Sequence, residues 1–105
     1  MYTQSRYIID TIKSFKDKET EKIYHQGFCK RIPQDIAEVA LRKLMMIDAV
    51  ETLSDLKAPP ENHLELLHGD HEGQWSIWIN NQWRIVFIPI LGGRDYEDVE
   101  IVDDH

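Results

Sequence analysis

Residues 75–90 read WSIWINNQWRIVFIPI, and their reading decides the fold. Trp83, Ile85 and Phe87 alternate with Arg84, Val86 and Ile88, the period of two that a pleated strand imposes. The preceding WSIWIN has the same strand character. The short NNQ between them is the length that joins antiparallel neighbours. Because both faces of the second run are apolar, it reads as a central strand. Arg84 must then lie near a strand end or in a cleft, since an unpaired buried guanidinium is too costly.

Working outward, the segment GGRDYED is a second short connection, leading into DVEIVDDH at residues 98–105. There Val99 and Ile101 share a face with Asp103, and alternation sends His105 the same way. Upstream, HLELL at 63–67 reads as another strand, and Pro59 with Pro60 breaks any helix before it. The period changes again in IPQDIAEVALRKLMMIDAVETL, residues 32–53. Pro33 suits a first helical turn, and Asp35 suits its positive end. Ile36, Ala40, Leu44 and Ile47 make a buried stripe with Val39 beside it. In KDKETEKIYHQG, Asp17 caps a short helix and Gly27 ends it. YIIDTIKSF, residues 7–15, reads as a first strand. The expected architecture is α+β, one domain over residues 1–105, with two N-terminal helices packed on a small, largely antiparallel sheet.

Composition limits the function. With 42% hydrophobic and 30% charged residues the chain is of globular type, without a membrane span or a signal-peptide pattern, and a cytoplasmic protein is expected. The one cysteine, Cys29, cannot form an internal disulfide. Residues 1–60 hold ten Lys and Arg against nine Asp and Glu, whereas residues 61–105 hold two against ten. An acidic C-terminal half disfavours tight binding to bare nucleic acid and suits a basic partner.

Two readings of Arg84 and of the ending Asp103, Asp104, His105 follow from residue type. One is an ion-paired strand arginine with a frayed end. The other is a site handling a phosphodiester, with planar guanidinium donors for phosphate and an imidazole that titrates near neutral pH. Trp75, Trp78 and Trp83 read as core and sheet-face residues rather than a base-stacking platform. His68 and His71, with His63 or His105, are too loosely spaced for a zinc site, and no metal is expected.

The stretch LKAPPENHLELLHGDHEGQWSIWINNQWRIVF and the ending DVEIVDDH, with IKSFKDKETEKIY near the start, resemble the HigB branch of the RelE/ParE toxin superfamily. That branch shows a Pro-Pro-x-Asn turn, LEALKGD, a strand pair ending in QWRI, and a terminal VEIVDYH. The likeness runs from about Ile12 to His105, leaving residues 1–11 as an N-terminal extension. It implies a RelE-like fold and a toxin that cuts mRNA in the ribosome, needs no metal or other cofactor, and is silenced by a HigA-type helix-turn-helix antitoxin. Operator DNA is then reached only through that antitoxin, and no membrane is involved. Some members of the superfamily inhibit gyrase instead, a reading that the retained QWRI and terminal histidine disfavour. The family chemistry uses the 2′-OH of the substrate as nucleophile and needs a base, an acid and positive charge at the phosphoryl oxygens. The resemblance places Arg84, Asp103 and His105 in the catalytic set, Glu65 as a candidate base and His68 as a secondary cation. Asn80 and Asp104 fall at substrate-binding positions. Two departures weaken the pattern: His68 stands where the family has lysine, and Asp104 where it has tyrosine. Both reduce positive or aromatic character at the expected phosphate site.

Overall fold

A computed structural model describes residues 11–69 and 73–104 of the chain. Its elements are α1 (Lys18–Gln26), α2 (Gln34–Ala49), two 3-10 turns (Leu53–Lys57 and Pro60–Asn62), β1 (Glu65–Leu66), β2 (Trp75–Trp78), β3 (Trp83–Ile90) and β4 (Asp95–Asp103). The strands form one sheet in the order β1-β2-β3-β4, antiparallel throughout. The arrangement is α+β, as the periodicities indicate.

Local chemistry sets the element ends. Asp17 caps α1 by accepting from the Thr20 backbone N–H at 3.2 Å, and Gly27 closes it in the left-handed conformation at φ 87°. The stripe expected on α2 is buried at Ile36, Ala40, Leu44 and Ile47, with Ala37 added. The helix stops at Ala49, short of the periodic segment's end. Thr52 and Asp55 form a capping box that starts the first 3-10 turn, so the chain re-nucleates instead of continuing. The HLELL run contributes only two residues to the sheet. His63 is left-handed at φ 47° after the Pro60–Asn62 turn and cannot extend the strand backwards.

The helices cover one sheet face. Trp83, Ile85 and Phe87 of β3 and Tyr96, Val99 and Ile101 of β4 meet Ile23, Leu44 and Ile47 in a single core. Full burial of each large aliphatic or aromatic side chain contributes about 1.5–3 kcal/mol. One polar group intrudes. Lys43 on α2 is 5% exposed and donates to the Oδ1 of fully buried Asn62, whose Nδ2 donates to the Leu56 carbonyl at 3.0 Å. Burial lowers the Lys43 pKa, against an opposing pull from Glu61.

The segment read as a first strand makes two isolated parallel bridges to β4, Ile12 with Tyr96 and Phe15 with Val99. Its residues 7–10 lie outside those described. Backbone bonds from Lys13 to the Tyr96 carbonyl (2.7 Å) and from Lys16 to the Val99 carbonyl (2.9 Å) hold it against β4. Thr20 of α1 then accepts from the Ile101 N–H at 2.9 Å, so the outer edge of β4 is covered along its length. Asp48 at the end of α2 fixes this segment. Its Oδ1 accepts from the Thr11 and Ile12 N–H groups at 2.8 and 3.0 Å, and its Oδ2 accepts from the Tyr24 hydroxyl.

Two stability measurements follow. Asp48→Ala removes the acceptor used by two backbone N–H groups and a phenol, and is expected to lower unfolding free energy by about 2–4 kcal/mol in urea melts. Tyr96 is fully buried, and its hydroxyl has no hydrogen-bond partner among the described residues. Burial, then the Asp55 charge, pushes its pKa from 10.0 up to about 12. The folded state keeps this proton where the unfolded chain loses it. Its stability contribution is therefore present below pH 10.0 and lost as pH rises towards about 12. Tyr96→Phe should flatten that alkaline decline relative to the parent, with stability at pH 7 unchanged or higher.

Candidate functional site

The sheet face away from the helices is the open one. The strand register lays Glu65, Ser76, Val86 and Glu100 in one cross-strand row, with Trp78, Arg84 and Val102 in the next. Since Phe15 pairs with Val99 on the core side, Lys16 extends the first row beyond Glu100. These rows floor an open cavity of ≈ 380 Å³, walled at one end by Asp103 and Asp104. Three strand spacings separate Glu65 from Glu100 at the backbone, about 14 Å.

Arg84, second residue of β3, is the centre of this face. Its side chain is 12% exposed. Nη1 donates to the Asn80 carbonyl at 2.8 Å and more weakly to the Trp83 carbonyl at 3.4 Å. The guanidinium carbon sits 4.1 Å from the centroid of the Trp78 ring, its register partner. Such a cation–π contact contributes about 0.5–2 kcal/mol and fixes the plane of the fork. The expected carboxylate partner is present, but it is Asp104, whose Oδ2 lies 3.6 Å from Nε; Asp104 itself is 65% exposed. Asp103, in register with Trp83 at the exposed end of β4, borders the cavity there and accepts from Gln82 Nε2 at 3.0 Å. The backbone N–H of Asp104 donates to the Gln82 carbonyl at 2.6 Å, so the β2–β3 turn anchors the end of β4.

The cavity thus joins four of the residues singled out in the sequence: Arg84, Asp103, Asp104 and Glu65. His68 is exposed and is not among the cavity-lining residues. Asn80 does not line the cavity either. Its Oδ1 accepts from the Gln82 and Trp83 N–H groups, both at 2.8 Å, which builds the turn that sets β3 in place. His105 and His71 lie outside the described residues. Among those described, no three His, Cys, Asp or Glu side chains group as metal ligands.

The description "RelE-like toxin of type II toxin-antitoxin system HigB" matches residues 13–105. The chain belongs to the HigB-like toxin family. Toxin HigB-1 of Vibrio cholerae is 42% identical over 74 residues, covering 70% of this chain and 78% of that protein. Endoribonuclease HigB of Proteus vulgaris is 33% identical over 90 residues, covering 83% and 97%. An uncharacterized protein of Haemophilus influenzae is 39% identical over 74 residues, covering 70% and 73%. The RelE-like fold and the place of this chain in a type II toxin–antitoxin family agree with the motifs.

In this HigB-like chain, Trp78 is a sheet-face residue, half-buried on the open side in register with Arg84. His63 stacks on it at 3.8 Å between centroids and 24° between planes, beside the Arg84 contact. Glu100 and Lys16 line the cavity, although the motifs that contain them gave neither a role. Alternation in VEIVDD assigns Glu100 to the face opposite Val99, and with the register of β3 that signal was sufficient to find it. Lys16 was concealed because its position depends on a parallel pairing 84 residues away in sequence.

The turn assignment of Asn80 is testable. Asn80→Ala should cost about 1–2 kcal/mol in urea melts, and Asn80→Asp, which keeps the accepting oxygen, much less. Unchanged stability for Asn80→Ala with weakened RNA binding would instead make it a substrate contact.

Proposed function

We propose that this chain is a ribosome-dependent mRNA endonuclease that inhibits translation and is neutralised by a HigA-type antitoxin. The observation that supports it most is the placement of Arg84: one oriented guanidinium on the wall of an open cavity that also holds Glu65 and the Asp103–Asp104 end of β4. The naming of a relative as Endoribonuclease HigB agrees with the reading.

In this reading the substrate's 2′-OH attacks the adjacent phosphorus. The O2′–P bond forms, the P–O5′ bond breaks, and a 2′,3′-cyclic phosphate and a 5′-OH remain. A base takes the 2′ proton, and an acid returns one to the 5′ oxygen. Arg84 still has its Nη2 hydrogens to offer the equatorial phosphoryl oxygens, because its contacts with the described residues use Nη1 and Nε. Glu65 is the base candidate within the cavity. His105 serves proton transfer with Asp103 in support, and His68 adds charge from the periphery. The substrate supplies its own nucleophile, so these steps need no metal. The ribosome supplies binding and codon alignment, which reconciles RNA chemistry with an acidic C-terminal half.

A second reading has its own support. The carboxylate of Asp104 occupies the Nε side of a guanidinium that is only 12% exposed. A toxin-fold module that binds its antitoxin and acts in operon autoregulation, with weak or no cleavage, fits that masking.

Expression with and without Arg84→Ala and His105→Ala, followed by mapping of mRNA 5′ ends, separates the two. Codon-spaced cuts that fall by roughly 10²–10³ in rate for Arg84→Ala support the enzyme. Tight antitoxin binding without cuts supports the module. Asp104→Tyr, which removes the internal anion, should raise the cleavage rate by about tenfold or more; an unchanged rate would remove the masking role of Asp104.

A further inference from the structure

We propose that Lys16 is a substrate-binding residue of the cavity, holding the backbone phosphate next to the scissile one. The assignment rests on the nuclease reading and deepens it.

The cavity needs a second cation. Its described lining contains four carboxylates, Glu65, Glu100, Asp103 and Asp104, against two cations, Arg84 and Lys16. One of those cations is 12% exposed and already faces a carboxylate. A nucleic-acid strand entering such a cleft meets repulsion that one half-neutralised guanidinium offsets poorly. Lys16 is different. It is exposed, and its ammonium makes no hydrogen bond or ion pair with another described residue. Its neighbour on the same segment, Lys13, is by contrast paired with Asp95 at 4.0 Å.

Geometry gives the free ammonium its place. The Lys16 N–H bond to Val99 and the Phe15–Val99 bridge set the pleat so that Phe15 packs against the core and Lys16 meets the open face. Arg84 lies two strands away and one row along, about 12 Å at the backbone. Both residues line the cavity and both side chains are long, so with this spacing their heads suit successive phosphates of one strand rather than the same one. The division of labour follows from their chemistry. The planar, fixed fork suits the phosphoryl group whose geometry changes, and the flexible point charge suits a neighbour that is only held.

The test uses the full chain on ribosomes carrying a defined mRNA, under single-turnover conditions at several salt concentrations. Lys16→Ala and Lys16→Gln should raise the half-saturating toxin concentration roughly three- to tenfold while the maximal rate stays within about threefold. Loss of one phosphate contact should make the log–log salt dependence shallower by about 0.7. Lys16→Arg should restore both quantities. Lys13→Ala, which removes the same charge from the same segment outside the cavity, should match the parent. Equal behaviour of Lys16→Ala and Lys13→Ala overturns the assignment, and so does a fall in maximal rate alone. If the parent chain cuts nothing, the nuclease reading fails first, and Lys16 loses its role with it.

Discussion

The carboxylate of Asp48 ties together three parts of the chain: the segment before α1, α1 itself and the end of α2. It stands at the C-terminal end of α2, where the helix macrodipole disfavours negative charge. Three donors offset that penalty: two backbone N–H groups of the segment before α1, and the Tyr24 hydroxyl from within α1. Once the segment is anchored at Thr11 and Ile12, it runs beside β4 in the parallel sense, and Thr20 takes over the strand edge where the segment leaves it. A strand that would otherwise present free N–H and C=O groups is enclosed. The same alignment decides which face of the sheet receives Phe15 and which receives Lys16.

The open face is built around a cation held more firmly than solvent exposure would allow. Two backbone carbonyls and the face of Trp78 orient the Arg84 guanidinium, and His63 supports the indole in turn. Asn80 contributes twice through different atoms, its carbonyl meeting Arg84 and its side chain shaping the turn. Gln82 in the same turn ties down both aspartates at the end of β4. The NNQ connection is therefore the scaffold of the site, where the motif alone presented it as a simple link or a substrate contact. Preorganisation of this kind is what an electrostatic site requires, because groups already aimed need not reorganise during reaction.

Much of the fold was legible in one dimension. Alternation in WRIVFIPI separated the core face from the Arg84 face, and the helical stripe from Ile36 to Ile47 is buried as spaced. Asp17 and Gly27 marked both ends of α1 because caps depend on local chemistry. What resisted reading depends on contacts between distant residues. Lys43 sits among apolar α2 positions, yet it is buried because Asn62 of a later turn accepts its hydrogen bond. Trp78 differs from Trp83 only through its register with Arg84. The α2 terminus was misjudged for a local reason, since the Thr52–Asp55 box outcompeted an unbroken apolar rhythm. Asp103 and Asp104 look equivalent in sequence, but the pleat sends them apart: Asp104 pairs with the guanidinium, and Asp103 accepts from Gln82.

The contact between Asp104 and Arg84 also bears on how such a chain can change through descent. Aspartate and tyrosine codons differ at the first base alone, so the residue that occupies the arginine is one point mutation from the aromatic side chain found in relatives of this pattern. A lineage carrying this gene can thus alternate between a shielded and an unshielded guanidinium without rebuilding any of the fold.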